Sequence, residues 1–290
     1  MSSETPRYTP HGPQADQAVA DLITRGLAAM KQRKLLPVEA VGHYLVGPYA
    51  RGEGWVVQEE DAWIPLDTPH LYVLVPDGFE EEADASFVAI QEQMDAICQE
   101  AGYSFWVDLA TESQLARPEW ALLAYEVATS RRLLWSLDGH DPLEKFKEGT
   151  AERLQGYAKA MLMDQGPALR ELAEWGRHEI FGLHQGVLRL AFIRSLEVLT
   201  GLGDAILMDQ GNYAPGYLLR AEAMARLAGQ GIVHEQLAAL YRSAIALRLK
   251  RPRPQLPNWD DMRALMQEVQ TWSRHVAHVH FGAELVDPAA

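Results

Sequence analysis

Three side chains beside two apolar segments of this sequence have the chemistry of metal ligands. Asp67 and His70 lie just before the apolar run at residues 71–75, and Asp108 lies in the aromatic and apolar run at residues 103–109. Carboxylate oxygens suit Mg²⁺, whereas an imidazole nitrogen is a poor ligand for Mg²⁺ and a good one for Mn²⁺ or Zn²⁺. If the two segments are adjacent, these side chains have two interpretations: a set of ligands for a single Mn²⁺ or Zn²⁺ ion in an active site, or a site that holds no metal.

The remaining candidates lie in a glycine-rich turn upstream. Residues 47–54 read Gly-Pro-Tyr-Ala-Arg-Gly-Glu-Gly and follow the strand-like residues 41–46. Proline fits the first turn of a helix but has no backbone N–H, so a helix is predicted to begin there. The candidate residues of this turn are Gly47, Pro48, Tyr49, Arg51 and Glu53. Two of them have a structural alternative, because Arg51 can pair with an acidic neighbour and Glu53 can cap a turn.

Alternating strands and helices must position these residues in the first half of the chain. Apolar spacing of three to four residues predicts helices, and short apolar or β-branched runs predict strands. A helix that begins near residue 15 is expected to stop before Pro37, and one that begins at residue 82 is expected to end at Gly102. The predicted helices are residues 15–36, 82–101 and 120–134; the predicted strands are residues 41–46, 71–75 and 103–109, with a hairpin from 55–57 and 63–66.

The second half of the chain has a different pattern. Beyond Pro142, apolar residues recur at helical spacing and no strand is indicated. The sequence predicts a loose N-terminal segment at residues 1–13, an α+β domain at 14–142 and an all-helical bundle domain at 143–290. The predicted helices here are residues 143–163, 168–181, 183–199, 217–228, 234–249 and 259–280. The pentapeptide Leu-Met-Asp-Gln-Gly occurs at residues 162–166 and 207–211, and both copies are interpreted as helix ends capped by glycine.

The order of these parts resembles the polymerase-β-type nucleotidyltransferase superfamily. In that family a strand leads into a Gly-Ser turn at the start of a helix, the next strand carries an Asp-x-Asp pair, and a later strand carries a third Asp. The similarity here covers roughly residues 38–135, through the segments 47–54, 67–72 and 106–109. It implies a small mixed sheet with flanking helices, and catalytic roles for Asp67 and Asp108. It also implies nucleotide binding by Gly47, Pro48, Tyr49, Arg51 and Glu53.

The metal positions of this sequence depart from the family pattern. Pro48 stands in place of the family's Ser, and Thr68 and His70 stand in place of the Asp-x-Asp pair. Asp67 is one residue out of register, so a regular strand would direct its side chain to the other face. Only Asp108 occupies a matching place. One carboxylate with a threonine and a histidine supplies too little negative charge for two Mg²⁺ ions, so the resemblance implies a degenerate member.

Three functions follow from this interpretation. The leading hypothesis is a non-catalytic or altered binder of a nucleotide, a small phosphorylated ligand or a protein partner, with no metal cofactor. The alternative is an active nucleotidyltransferase that uses Mg²⁺ or Mn²⁺ and moves a nucleotidyl group from an NTP to a hydroxyl of a small molecule, sugar or protein. The third is a structural or interaction scaffold.

Charge and composition limit the partners. The chain has 40 acidic and 26 basic side chains and a net charge of −14, which disfavours nucleic acid. No apolar run approaches the roughly 20 residues of a membrane helix, and the N-terminus lacks signal-peptide features, so a cytoplasmic protein without a membrane segment is expected. Two histidine patterns remain. Arg177 to His184 has the Arg-x4–6-His spacing that helical partners of some family members use for RNA cleavage, which the acidic charge disfavours here. His275, His278 and His280 are either a metal cluster or ordinary surface or capping histidines, and helical spacing, which puts only the first two on one face, favours the latter.

Overall fold

A computed structural model of the chain describes residues 6–147, 150–177, 185–250 and 257–282. Contacts between Cα atoms divide the chain into two compact units, one formed by Met1–Thr150 with Arg248–Arg253 and the other by Ala151–Leu247 with Pro254–Ala290. The first unit contains a small mixed sheet with flanking helices, and the C-terminal region is helical. The predicted α+β class is therefore confirmed.

The first unit has one four-stranded sheet and a separate hairpin. The strands are β1 Gly42–Val46, β2 Val56–Glu59, β3 Ala62–Pro65, β4 His70–Leu74, β5 Trp106–Ala110 and β6 Arg132–Ser136. The sheet order is β5-β4-β1-β6, while β2 and β3 form the predicted hairpin. β1 is antiparallel to β4 and β6, and β4 is parallel to β5. The parallel pair is joined through a long helix, as such a connection requires.

Helices cover both faces of this sheet. The helices of the first unit are α1 Pro13–Gln32, α2 Pro48–Arg51, α3 Glu80–Ala101, α4 Glu112–Leu115 and α5 Ala121–Ser130. Because side chains alternate along a strand, Leu45 and Leu71 join the core formed with α1 and α3, whereas Tyr44 and Tyr72 join the core formed with α5. α3 ends at Gly102, which has a left-handed φ of 74° as predicted.

The end of α1 differs in detail from the prediction. α1 stops at Gln32, before the expected residue 36, and Lys34 then adopts a left-handed φ of 55°. The N–H of Leu35 donates to the carbonyl of Met30 and the N–H of Lys34 donates to that of Lys31, which is the Schellman pattern. Leu35 and Met30 are both buried in the core beneath. A glycine is the usual residue at the position of Lys34.

The second unit is built from six helices among its described residues. They are α6 Ala158–Met163, α7 Gly166–Arg177, α8 Gln185–Asp209, α9 Tyr217–Gly229, α10 Glu235–Lys250, whose residues from Arg248 onward belong to the first unit, and α11 Trp259–Phe281. A buried ionic network links three of them: Asp204 of α8 accepts from Arg220 of α9 at 2.9 Å and from the hydroxyl of Tyr241 of α10 at 2.6 Å. None of the helices described is both long and apolar enough to span a bilayer.

Three predicted elements were wrong. The helix expected at residues 120–134 ends at Ser130, and residues 132–136 instead form β6, because pairing with β1 outweighs helical spacing in this short apolar run. The helix expected from residue 143 begins with turns and a 3₁₀ segment, Ala151–Tyr157, before α6. Gly166 starts α7 and caps nothing, whereas Gly211, with a φ of 63°, does follow the end of α8.

Candidate functional site

The candidate residues converge where β1 ends and where β4 and β5 begin. Val46, the last residue of β1, pairs with His70, and His70 pairs in turn with Trp106 on β5. Gly47 follows β1 directly and is the N-cap of α2, while Asp108 lies two residues into β5 beside Tyr72. The glycine turn, the histidine and the aspartate therefore share one edge of the sheet, which is called here the strand-edge site.

His70 and Asp108 form a direct pair at this edge. The Nε2 atom of His70 lies 2.7 Å from Oδ2 of Asp108, with side-chain exposures of 25% and 13%. Because a carboxylate can only accept, Nε2 carries the hydrogen of this bond, and Nδ1 is the ring nitrogen left for another partner. Among the described residues, the only other hydrogen bond to either side chain is the one that Asp108 accepts from Trp106. Each side chain therefore keeps a polar atom for a ligand.

Trp106 adds an aromatic surface to the pair. Its indole N–H donates to Oδ2 of Asp108 at 3.3 Å, and its ring meets the imidazole of His70 edge to face, with centroids 6.4 Å apart and planes 86° apart. The residue is nevertheless 54% exposed. Sequence reasoning missed Trp106 as a site residue. The available signal was an aromatic residue two positions before Asp108, which places both side chains on one face of the strand.

The glycine turn has the predicted backbone but a shorter helix than the resemblance implies. Gly47 has a φ of 75°, which favours glycine, and a Cβ built there would meet no atom within 4 Å. Pro48 is the first helical residue, as predicted. α2 ends after four residues at Gly52, which has a φ of 76°. A single turn has only a small dipole, so the positive helix end expected for phosphate binding is weak here.

Tyr49 is a packing residue of this turn. It is 1% exposed, and its hydroxyl donates towards the carbonyl oxygens of Trp55, at 3.2 Å, and Asp67, at 3.0 Å. Its ring lies against Gly54, where a Cβ would approach Cδ1 of Tyr49 to 1.9 Å. Burial raises the pKa of Tyr49 well above its usual value. The nucleotide-binding role implied by the resemblance is therefore not supported for this side chain, which faces protein on all sides.

Arg51 and Glu53 are engaged with each other and with α5. The Nε atom of Arg51 lies 3.1 Å from the carboxylate of Glu53, and its Nη1 atom pairs with the carboxylate of Glu126 and lies 3.3 Å from the hydroxyl of Ser130. The structural alternative, an ion pair with acidic neighbours, is what the structure has for Arg51. This network fastens the glycine turn to α5, and it leaves the guanidinium little freedom to bind a phosphate.

Asp67 is directed away from the other two predicted metal ligands. Its Oδ2 atom accepts from the backbone N–H of Trp55 at 2.7 Å, and its Oδ1 atom lies 3.6 Å from Nη1 of Arg248, a residue of the same unit. Asp67 lies in a bend before β4, which begins at His70, so its direction is set by these two partners and not by strand alternation. The structure brings His70 and Asp108 together and keeps Asp67 in a separate hydrogen-bond network. Thr68 is exposed.

No group of three or more His, Cys, Asp or Glu side chains within the described ranges is arranged to hold a metal ion. The pair of His70 and Asp108 offers two ligands of the kind that Mn²⁺ or Zn²⁺ accepts. Of the three predicted ligands, His70 and Asp108 lie together, whereas Asp67 lies in the bend before β4 and accepts from the backbone N–H of Trp55.

The other histidine patterns add nothing to this site. His275 and His278 are exposed on α11, and burial lowers the pKa of the half-buried His280. His275 contacts the ring of Trp272, with centroids 5.3 Å apart. The Arg177 to His184 spacing falls on residues 178–184, outside the described residues.

Comparisons with protein-family models, with curated proteins and with solved structures each find no match for this chain. The resemblance to nucleotidyltransferases stays a prediction from the motif residues.

Proposed function

We propose that this chain is a nucleotidyltransferase-like protein that binds a nucleotide or a similar small phosphorylated ligand at the strand-edge site, without the two-metal chemistry of the family it resembles. One observation carries the proposal: the register of β1, β4 and β5 sets the Gly47 turn beside a single His–Asp pair. The order of turn, second strand and third strand is the order that the resemblance implies. Of the carboxylates that would hold two metal ions, only Asp108 has a counterpart here.

The groups left open at this edge suit the base and sugar of a nucleotide. The exposed ring of Trp106 can stack on a base, and such stacking is worth about 1–3 kcal/mol per base. Asp108 can accept a hydrogen bond from a ribose hydroxyl, and Nδ1 of His70 can accept one from a second hydroxyl or from a base amino group. The open space beside Gly47 lets a phosphate approach the backbone of the turn.

Two-metal phosphoryl transfer has little support from these side chains. Each Mg²⁺ ion needs carboxylate oxygens to hold it, and Asp108 already accepts two hydrogen bonds at Oδ2. An active enzyme would instead need one Mn²⁺ or Zn²⁺ on His70 and Asp108, with the nucleotide phosphates completing its coordination. We keep this as the second candidate because the His–Asp pair is a chemically suitable pair of ligands.

Thermal unfolding in the presence of ATP, GTP, CTP, UTP or inorganic tripolyphosphate tests the proposal. A ligand at 100 times its dissociation constant stabilises the folded chain by about 2.7 kcal/mol. At least one nucleotide should raise the midpoint in EDTA more than tripolyphosphate does, and Trp106→Ala should reduce that gain. Trp135→Ala, which removes another exposed indole, is the control. If no nucleotide raises the midpoint with or without a divalent ion, the proposal is wrong and the scaffold hypothesis gains support.

Incubation with α-phosphate-labelled NTP and Mg²⁺, Mn²⁺ or Zn²⁺ separates the binder from the active enzyme. The proposal predicts no labelled acceptor and no labelled chain. Metal-dependent label that Asp108→Ala abolishes would establish the active alternative.

A further inference from the structure

A cavity lies on the face of the sheet opposite to the strand-edge site, at the other end of β1. It has a volume of about 450 Å³ and opens between α1, the loop after α1, β1 and β6. His43 is the second residue of β1 and shares a strand face with Leu45, which packs under α1 and α3. The strand-edge site, in contrast, begins where β1 ends. The two places are therefore separate, and the nucleotide proposal uses none of the residues of this cavity.

The walls of this cavity are mostly apolar. Leu27 of α1 and Leu36 of the following loop form one side, and Trp135 of β6 forms the other. Trp135 is 44% exposed, and Val38 at the rim is 96% exposed. The imidazole of His43 rests against the indole of Trp135, with centroids 4.8 Å apart. Cavities of this size with apolar and aromatic walls are typical of small-molecule sites.

Two polar groups in the cavity form no hydrogen bond or ion pair with the part of the chain that the structure describes. Lys31 projects from the last turn of α1, and its ammonium forms no ion pair with any residue that the structure describes. The imidazole of His43 makes no hydrogen bond to the described part of the protein, and burial lowers its pKa, so the ring is neutral near pH 7. The exposed Lys31 and the neutral ring of His43 thus both line this mostly apolar cavity.

We propose that this cavity binds a small apolar carboxylate, with its hydrocarbon or aromatic body against Trp135 and Leu36 and its carboxylate at Lys31. The apolar walls would gain from burying a hydrocarbon body, and the lone ammonium supplies the complementary charge. The neutral ring of His43 can donate a further hydrogen bond to a carboxylate oxygen. A nucleotide fits poorly, because its sugar and phosphates would face leucine, valine and proline side chains.

Titration calorimetry of the full chain with decanoate tests the proposal, with decan-1-ol as the uncharged comparison. Decanoate should bind saturably at one site, and Lys31→Gln should weaken it at least about tenfold while changing decan-1-ol binding less than about twofold. Lys34→Gln, which removes the same charge outside the cavity lining, should have no effect. Val38→Asp places a negative charge at the rim and should also weaken decanoate binding, and because Val38 is 96% exposed the variant should fold normally.

Tryptophan fluorescence locates the bound probe. Decanoate should change the emission of the wild type and of Trp106→Phe, but not that of Trp135→Phe. Three results would overturn the proposal: no saturable decanoate binding, binding that Lys31→Gln and Val38→Asp leave unchanged, or self-association through the β6 edge that Val38→Asp disrupts while decanoate does not bind. The last result would identify the face as an interface between copies of the chain.

Discussion

Asp67 is expected to stabilise the first unit and not to bind a ligand. Replacing Asp67 should therefore lower the free energy of unfolding without weakening ligand binding. Asp67→Ala removes the acceptor of the Trp55 N–H, which lies 2.7 Å from the carboxylate at a residue that is 1% exposed. A buried donor left without an acceptor costs about 1–3 kcal/mol. The variant also removes the carboxylate 3.6 Å from Arg248, whose other interactions limit that loss. The expected decrease in the free energy of unfolding is about 2–4 kcal/mol.

Denaturant unfolding followed by circular dichroism and tryptophan fluorescence measures this decrease. Asp67→Asn keeps an oxygen that can accept from Trp55, so its loss should be near 1 kcal/mol, in the range of ordinary substitutions. Asp61→Ala is the control: Asp61 lies at the exposed hairpin tip, where substitutions usually change stability by less than about 0.5 kcal/mol. Folded Asp67→Asn should bind nucleotide within about twofold of the wild-type affinity, whereas Asp108→Asn should lose at least about tenfold, or 1.4 kcal/mol.

The opposite pattern would refute this reasoning. If Asp67→Asn unfolds like the wild type but loses nucleotide or metal binding, then Asp67 is a ligand group and its hydrogen bond to Trp55 does not describe its role.

Three further predictions concern the stability of the chain. Lys34→Gly should raise the free energy of unfolding by about 0.5–1 kcal/mol, because the residue has a φ of 55°, while Lys34→Ala should give no such gain. Arg220→Met should lower the free energy of unfolding by about 3–5 kcal/mol because it leaves the carboxylate of Asp204 buried without its cation, and Tyr241→Phe, which removes one hydrogen bond, should cost about 1–2 kcal/mol. Burial lowers the pKa of His43 from 6.5, so the unfolded chain takes up that proton first and stability should fall as pH decreases below about 6.5. Denaturant titrations at pH 7.5 and 5.5 should show a smaller decrease for His43→Gln, and an unchanged decrease would contradict this assignment.

Much of the fold could be predicted from local sequence. α3, α9 and α11 follow their apolar spacing closely, and Gly102 ends α3 as its backbone freedom suggests. The prediction of a helix through residue 134 was wrong because Leu133 and Leu134 belong to β6, a strand that forms through its pairing with β1. That pairing joins segments about 90 residues apart along the chain, which local periodicity cannot reveal.

The candidate site could be predicted in part. The strand order that brings His70 to Asp108 is the one expected from the motif order. Strand alternation predicted that Asp67 faces away, but Asp67 lies in a bend before β4, and its direction follows from its contacts with Trp55 and Arg248. The pairing of Arg51 with Glu126 could not be predicted, because Glu126 is 75 residues away in sequence. Tyr49 is predicted to bind the nucleotide because it lies in the glycine turn. Its burial, however, depends on contacts with Trp55 and Asp67, which the sequence of the turn does not specify.

The most direct test of the proposed strand-edge site is isothermal titration calorimetry with ATP, GTP, CTP and UTP, first in EDTA and then with Mg²⁺ or Mn²⁺. The account predicts saturable binding of at least one nucleotide to one site in EDTA, weakened at least about tenfold by Asp108→Asn and unchanged by Asp61→Asn. Binding that requires two divalent ions per chain, or no nucleotide binding under either condition, would contradict it.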